Sequence, residues 1–162
     1  MVSRKSPQPA SAERRLAELG IELPPAPTPL GAYVESVQTG NLLYLSGVLP
    51  VAGREPRFVG RLGREYGIEQ GREAARLAAV NVLSAAKHHL GSLDKVTRVV
   101  KLTAYLATEN DFVAQPKVAD AASELLRDVF GEDTLPVRMV LGVASLPLGV
   151  PVVVEVLFEV EV

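Results

Sequence analysis

The stretch IEQGREAARLAAVNVLSAAKHHL, from Ile68 to Leu90, constrains the fold more than any other part of the chain. Ala74, Leu77, Ala78, Asn81 and Ala85 recur along one helical stripe, Glu69, Arg72, Glu73, Arg76 and Lys87 fall largely opposite, and Gly91 follows as a stop. An inner face made mostly of alanine lets a helix approach a sheet closely. Asn81, set inside that stripe, reads as a buried amide whose hydrogen bonds are satisfied by its surroundings, and not as a catalyst.

The remaining segments supply the sheet. YVESVQ and LLYLSGV flank Thr39-Gly40-Asn41, a turn suited to an antiparallel hairpin because glycine and asparagine tolerate positive φ. VTRVVKLTAYLA is rich in β-branched residues and reads as a strand. A second helix is expected from Asn110 to Phe130, interrupted near its start by Pro116, and VRMVLGVA and VVVEVLFEVEV read as two more strands. The order hairpin, helix, strand, helix, strand, strand predicts an α/β (α+β) fold, a mixed β-sheet with two helices packed on one face. The strands are apolar at many positions of both parities. A monomer would therefore expose a large hydrophobic surface, and self-association is the expected remedy.

Between hairpin and first helix, VAGREPRFVGRLGREYG reads as a long glycine-rich loop with a short strand at Phe58 and Val59 and a mobile tip. At the start, Ser11 to Gly20 forms a short amphipathic helix with Ser11 as N-cap, Leu16 and Leu19 on one side and Gly20 as the stop. ELPPAPTPL then breaks it, and its four prolines favour an extended arm that packs outside the main fold or swings free. Two parts are expected: residues 1–29 as helix and proline-rich arm, and residues 30–162 as the compact domain.

Composition removes several function classes. With 162 residues and 48% hydrophobic content the chain suits one well-packed domain. A formal net charge of -2 leaves no uncompensated basic surface for tight phosphate binding, so nucleic acid is not an expected partner, although a local basic patch stays open. There is no cysteine, hence no disulfide, thiolate nucleophile or thiolate metal site, and a cytoplasmic location is the default expectation. MVSRKSPQPASAERR has no apolar stretch of signal-peptide length, and no later run approaches a membrane span. The only histidines, His88 and His89, end the polar face of the helix, where a solvated structural role beside its C-terminus is the expectation, and no metal site is expected. Arg57, Arg61 and Arg64 cluster in the glycine loop, but Glu55 and Glu65 flank them. No Ser-His-Asp order and no phosphate-binding glycine loop occurs.

Two residues invite a chemical reading. Arg138 opens an otherwise apolar strand just after Pro136, and its guanidinium offers a planar fork for a carboxylate; an ion pair or plain surface role is the alternative on spacing alone. In the last strand Glu155, Glu159 and Glu161 share one side. That alternation commonly marks a solvated face, although Glu155, farthest from the terminus, could position water if it lay in a cleft.

Read together, GAYVESVQTGNLLYLSGVLP, LGSLDKVTRVVKLTAYLATENDFVAQP and LPVRMVLGVASLPLGVPVVVEVLFEV resemble the RidA (YjgF-like) family across roughly Leu30 to Val160. The resemblance rests on the Ser46-Gly47 hairpin, the Leu-Asp before the long strand, the Asn-Asp-Phe helix start, and arginine followed by Leu146-Pro147 and a final glutamate strand. It implies a chorismate-mutase-like sheet, a homotrimer with clefts between subunits, and hydrolysis of reactive 2-imino acids to 2-oxo acids and ammonia without a cofactor. It further implies that Arg138 grips the substrate carboxylate, Glu155 helps orient the attacking water, and Tyr33 and Ser46 line the cleft. Met139 occupies the position beside the arginine where relatives commonly carry serine or threonine, and counts as a substrate-side residue. Parts of the family bear endoribonuclease names. Two alternatives therefore stand beside the deaminase: a non-catalytic trimer that binds a small carboxylate or a partner, and a ribonuclease.

Overall fold

The computed structural model describes residues 11–162. The reading of the first ten residues lies outside that range. Three helices, α1 (Ala12–Glu18), α2 (Ile68–Leu90) and α3 (Gln115–Phe130), accompany strands β1 (Ser36–Thr39), β2 (Leu42–Leu45), β3 (Val51–Ala52), β4 (Glu55–Pro56), β5 (Val96–Ala107), β6 (Val137–Val143) and β7 (Val152–Val160). The main sheet has the order β1-β2-β7-β5-β6, and β3 with β4 forms a separate small ribbon. All pairs in the main sheet are antiparallel except β5 with β6. The last strand is thus inserted between β2 and β5, so the α+β arrangement and its mixed sheet are as expected from the order of elements.

The helix stripe does what its composition dictates. Ala74, Ala75, Ala78, Ala79, Ala85 and Ala86 are all buried, and Asn81, 2% exposed, donates from Nδ2 to the carbonyls of Leu49 and Val51 at 3.0 and 2.9 Å. Those bonds tie the chain leaving β2 to α2. Gly91 closes the helix at φ 82, in the left-handed region that glycine enters without a Cβ clash. Gly71 serves close approach: a Cβ there would meet Leu62 Cδ2 at 2.8 Å and Val118 Cγ2 at 3.1 Å. α2 and α3 cover one face of the sheet, pressing on Val99, Leu102, Ala104, Leu106, Val154, Val156 and Phe158.

Some expectations shift. The second helix begins at Gln115 and not at Asn110, because Pro116 falls in the first turn, where a missing N–H costs nothing and a fixed φ helps. The short strand in the glycine loop lies at Glu55–Pro56, paired with Val51–Ala52 around Gly53 at φ 64, while Phe58 and Val59 are irregular. The loop is well anchored: Leu62 is fully buried, Phe58 and Tyr66 meet edge to face at 5.8 Å, and the Arg61 guanidinium donates to the Thr108 carbonyl. His89 bridges Ser36 Oγ and Gln38 Oε1 at 3.1 and 3.0 Å, fastening β1 to α2.

Of the two fates open to the N-terminal helix, packing is realised. Ala12 and Leu16 join the same core cluster as α2 and α3. Ser11 caps the helix by accepting from the Arg14 N–H at 3.2 Å, and its hydroxyl also donates to Asp94 Oδ1 at 2.8 Å. Glu13 receives Lys87 Nζ at 2.8 Å and the Leu93 N–H at 2.9 Å.

Candidate active site

Strand register decides which candidate side chains share a face. Leu102 of β5 stands opposite Val156 of β7 and Arg138 of β6, and it is fully buried beneath the helices. Thr103, one residue on, stands opposite Glu155 and Met139. Side chains alternate along a strand, so Arg138 rises on the helix-covered face and Glu155 and Met139 on the uncovered one. Glu155 and Met139 share a row across Thr103, roughly 10 Å apart at two strand spacings. Met139 is therefore not beside the arginine fork of its own chain.

At the sheet edge the arginine meets α3. Its Nη1 donates to Asp120 Oδ1 at 2.6 Å and to Ser123 Oγ at 3.2 Å. Asp120, Ser123, Glu124 and Arg127 follow i, i+3, i+4, i+7 spacing, one face of α3, and with Leu135, Pro136 and Arg138 they line an open cleft of about 380 Å³. The ion-pair alternative for Arg138 is thus present in part. Nε and Nη2, which form the side-on edge of a guanidinium, make no hydrogen bond among the described residues, and that edge is the one a carboxylate grips with two parallel bonds. Glu124 in turn holds Arg72 Nη2 at 2.7 Å.

Tyr33 and Ser46 are brought together elsewhere. With Gly47, Leu146, Pro147 and Val153 they line a cavity of about 490 Å³, which Arg138, Glu155 and Met139 do not reach. Tyr33 Oη accepts the Leu30 N–H at 3.0 Å, and Ser46 Oγ donates to the Val34 carbonyl at 2.6 Å, so both polar groups are fixed while keeping free acceptor capacity. Gly47 permits the wall to close, since a Cβ on it would come within 3.1 Å of Val153 Cγ1. Val153 and Glu155 lie on one face two residues apart, about 7 Å along the strand, so the glutamate stands just outside the cavity. Burial pushes the Glu35 carboxyl above its ordinary value, and this side chain borders an adjoining recess that shares Leu30, Tyr33, Gly47 and Leu49 with the cavity. Sequence reasoning missed Asp120, Ser123, Glu35 and Val153, whose relation to the site comes from packing between distant segments.

A cavity of about 830 Å³ lies at α1 and the proline arm. Of its charged members Glu13, Glu22 and Lys87, the first and last are already bonded to each other. Among the described residues no helix is long and apolar enough to cross a membrane.

Comparison with known proteins places this architecture. The family described as "YjgF/chorismate_mutase-like, putative endoribonuclease" matches residues 13–160. Protein TCP17 of Trypanosoma cruzi is 41% identical over 89% of this chain and 91% of its own length. The 2-iminobutanoate/2-iminopropanoate deaminase of Dermatophagoides farinae is 31% identical over 87% of this chain and 95% of its own. The crystal structure of a protein of unknown function from Agrobacterium tumefaciens superposes with a TM-score of 0.85 at 38% identity, covering 93% of this chain and 92% of that one. The chain belongs to the YjgF/RidA family, and its sheet with two covering helices is the chorismate-mutase-like fold. The matched span begins within α1, so the N-terminal helix is part of the family match.

Proposed function

We propose that this protein hydrolyses reactive 2-imino acids to 2-oxo acids and ammonia in clefts between the subunits of a homotrimer. The observation that carries the reading is the unoccupied Nε–Nη2 edge of Arg138, held at the rim of the sheet by bonds to Nη1 alone. A planar imino acid gripped there by its carboxylate presents its electrophilic carbon in a fixed orientation, which removes much of the entropic barrier to attack by water. The 31% identity to an imine deaminase supports the chemistry.

The uncovered face supports assembly. Val37, Tyr44, Val137, Met139 and Leu141 are each between 42% and 68% exposed, and the pairings Val37 with Tyr44, Tyr44 with Leu157, Leu157 with Lys101 and Lys101 with Val137 place three of them in one continuous row, with Met139 and Leu141 following Val137 on the same face of β6. An apolar sheet face of that extent is stable in water only when another surface covers it. A cyclic trimer would bring the Arg138 rim of one subunit to the Tyr33 and Ser46 cavity of the next, with Glu155 beside it to orient water.

A second reading, a non-catalytic carboxylate-binding trimer, is favoured by one observation: the Tyr33 cavity carries Val153 in its wall and no carboxylate among its lining residues. A ribonuclease reading finds no histidine among the lining residues of either cleft and a chain whose formal net charge is -2. The test is a coupled assay in which several 2-imino acids are generated in situ. Faster release of 2-oxo acid with the parent than with Arg138→Ala supports the deaminase. Equal rates for the two, with pyruvate still bound by the parent, leave the binding reading.

A further inference from the structure

The pairing of Arg138 with Asp120 gives the carboxylate site a second, negative pole. From it we infer that the Arg138 cleft recognises zwitterions, ligands that carry a cationic nitrogen next to the carboxylate, in preference to simple anions of the same shape. This rests on the proposed carboxylate grip at Arg138 and adds the charge of the group attached to it.

Asp120 Oδ1 bonds Arg138 Nη1 at 2.6 Å, while Oδ2 makes no hydrogen bond among the described residues. The other charges lining the cleft are already paired, Glu124 with Arg72 at 2.7 Å and Arg127 with Asp128 at 3.1 Å, which leaves Arg138 and Asp120 to meet the ligand. A bare 2-oxo acid placed on the free edge of Arg138 gains attraction from the guanidinium and suffers repulsion from Asp120. A protonated 2-imino acid, or an α-amino acid, carries a positive nitrogen next to its carboxylate, so its net charge is zero and much of that repulsion is offset. The Arg138 and Asp120 side chains are 27% and 47% exposed, so these effects are partly screened and amount to about tenfold in affinity and not thousands. Hydrolysis would convert a favoured zwitterion into a disfavoured anion. Asp120 would thereby weaken product binding at the moment product forms.

Asp120 also orients the fork, and a purely orienting residue would act on all carboxylates alike. The two roles separate by ligand charge. Pyruvate and alanine are the probes, the first an anion and the second a stable zwitterion of matching size, titrated by calorimetry against the trimer. For Asp120→Asn the ratio of alanine to pyruvate affinity should fall about tenfold, chiefly through tighter pyruvate binding. Ser123→Ala removes a hydrogen-bond acceptor but no charge, and should leave the ratio unchanged. The inference is overturned if Asp120→Asn weakens both probes by one common factor, or if the parent binds pyruvate as tightly as alanine. Arg138→Ala reports on the underlying reading independently: loss of both probes there, with an unchanged ratio in Asp120→Asn, would keep the carboxylate grip and remove only the discrimination.

Discussion

Arg138 and Glu155 leave opposite faces of one sheet, the first registered beside the buried Leu102 and the second beside Thr103. A catalytic cleft using both must draw them from different subunits. This changes what mutation can reveal, because each residue then belongs to a different wall of the same cleft.

Complementation tests the point directly. Arg138→Ala and Glu155→Gln should each lack imine hydrolysis as homotrimers, the second falling by about 10²–10⁴, the usual size of lost acid-base help. Co-expressed, the two variants should regain about a quarter of the parent rate, since random cyclic mixing reunites an intact arginine wall with an intact glutamate wall in one cleft of four. Recovery no better than the sum of the separate variants would mean that the two residues do not act in one shared cleft.

The uncovered face predicts its own disruption. Light scattering should give a mass of about three chains for the parent. Leu141→Glu, at a position 42% exposed within the isolated chain, should release monomers that keep their helical circular dichroism, because the charge enters the interface and not the core. Met139→Ser, in the adjacent row of that face, should lower trimer stability and leave pyruvate affinity nearly as it was. A change in substrate preference with assembly intact would instead put Met139 in a cleft.

Gly71 sets two effects against each other. Replacing a helical glycine by alanine gains about 1 kcal/mol of intrinsic helix propensity. Here the new Cβ would meet Leu62 at 2.8 Å and Val118 at 3.1 to 3.2 Å, and both neighbours are fully buried. Overpacking of that kind costs about 1–3 kcal/mol, so Gly71→Ala should lower stability on balance. Chemical denaturation checks this, and a rise in midpoint at constant slope would mean that Leu62 yields without cost.

What the sequence revealed and what it hid divide by range. α2 was legible from end to end, because an alanine stripe, an opposing charged face and a terminal glycine all lie within 24 residues of one another. Asn81 was recognised as a satisfied amide, although its acceptors, the Leu49 and Val51 carbonyls, emerge only from packing. The face on which Arg138 stands was not legible. It depends on the parallel register of β6 against β5, which pairs residues as far apart in the chain as Leu102 and Arg138. Asp120 was invisible for the same reason: on a helix wheel it is an ordinary polar residue, and only the sheet edge beside it makes it the partner of an arginine. The ribbon of β3 and β4 is two residues a side, too short for alternation to register.

The docking of α1 should be pH-dependent through Glu13. Burial by itself pushes this carboxyl up, but the Lys87 hydrogen bond, the Leu93 N–H and the Lys87 charge outweigh it and hold the group below its ordinary value of 4.5. A carboxyl depressed by folding contributes stability that is fully present above its unfolded value and is lost as the pH falls through the folded one. Glu13→Gln removes the ion pair and weakens the bond to the Leu93 N–H. It should therefore cost about 1 kcal/mol at pH 7, a figure kept small because the pair is partly solvated. As the pH drops below 4.5 the difference between parent and variant should shrink, since the parent carboxyl becomes protonated and loses its charge-assisted bonds. Denaturant midpoints of both proteins across that range supply the measurement. Curves that stay parallel down to pH 3 would mean that α1 is held by Ala12 and Leu16 in the core, with the ion pair contributing nothing to stability.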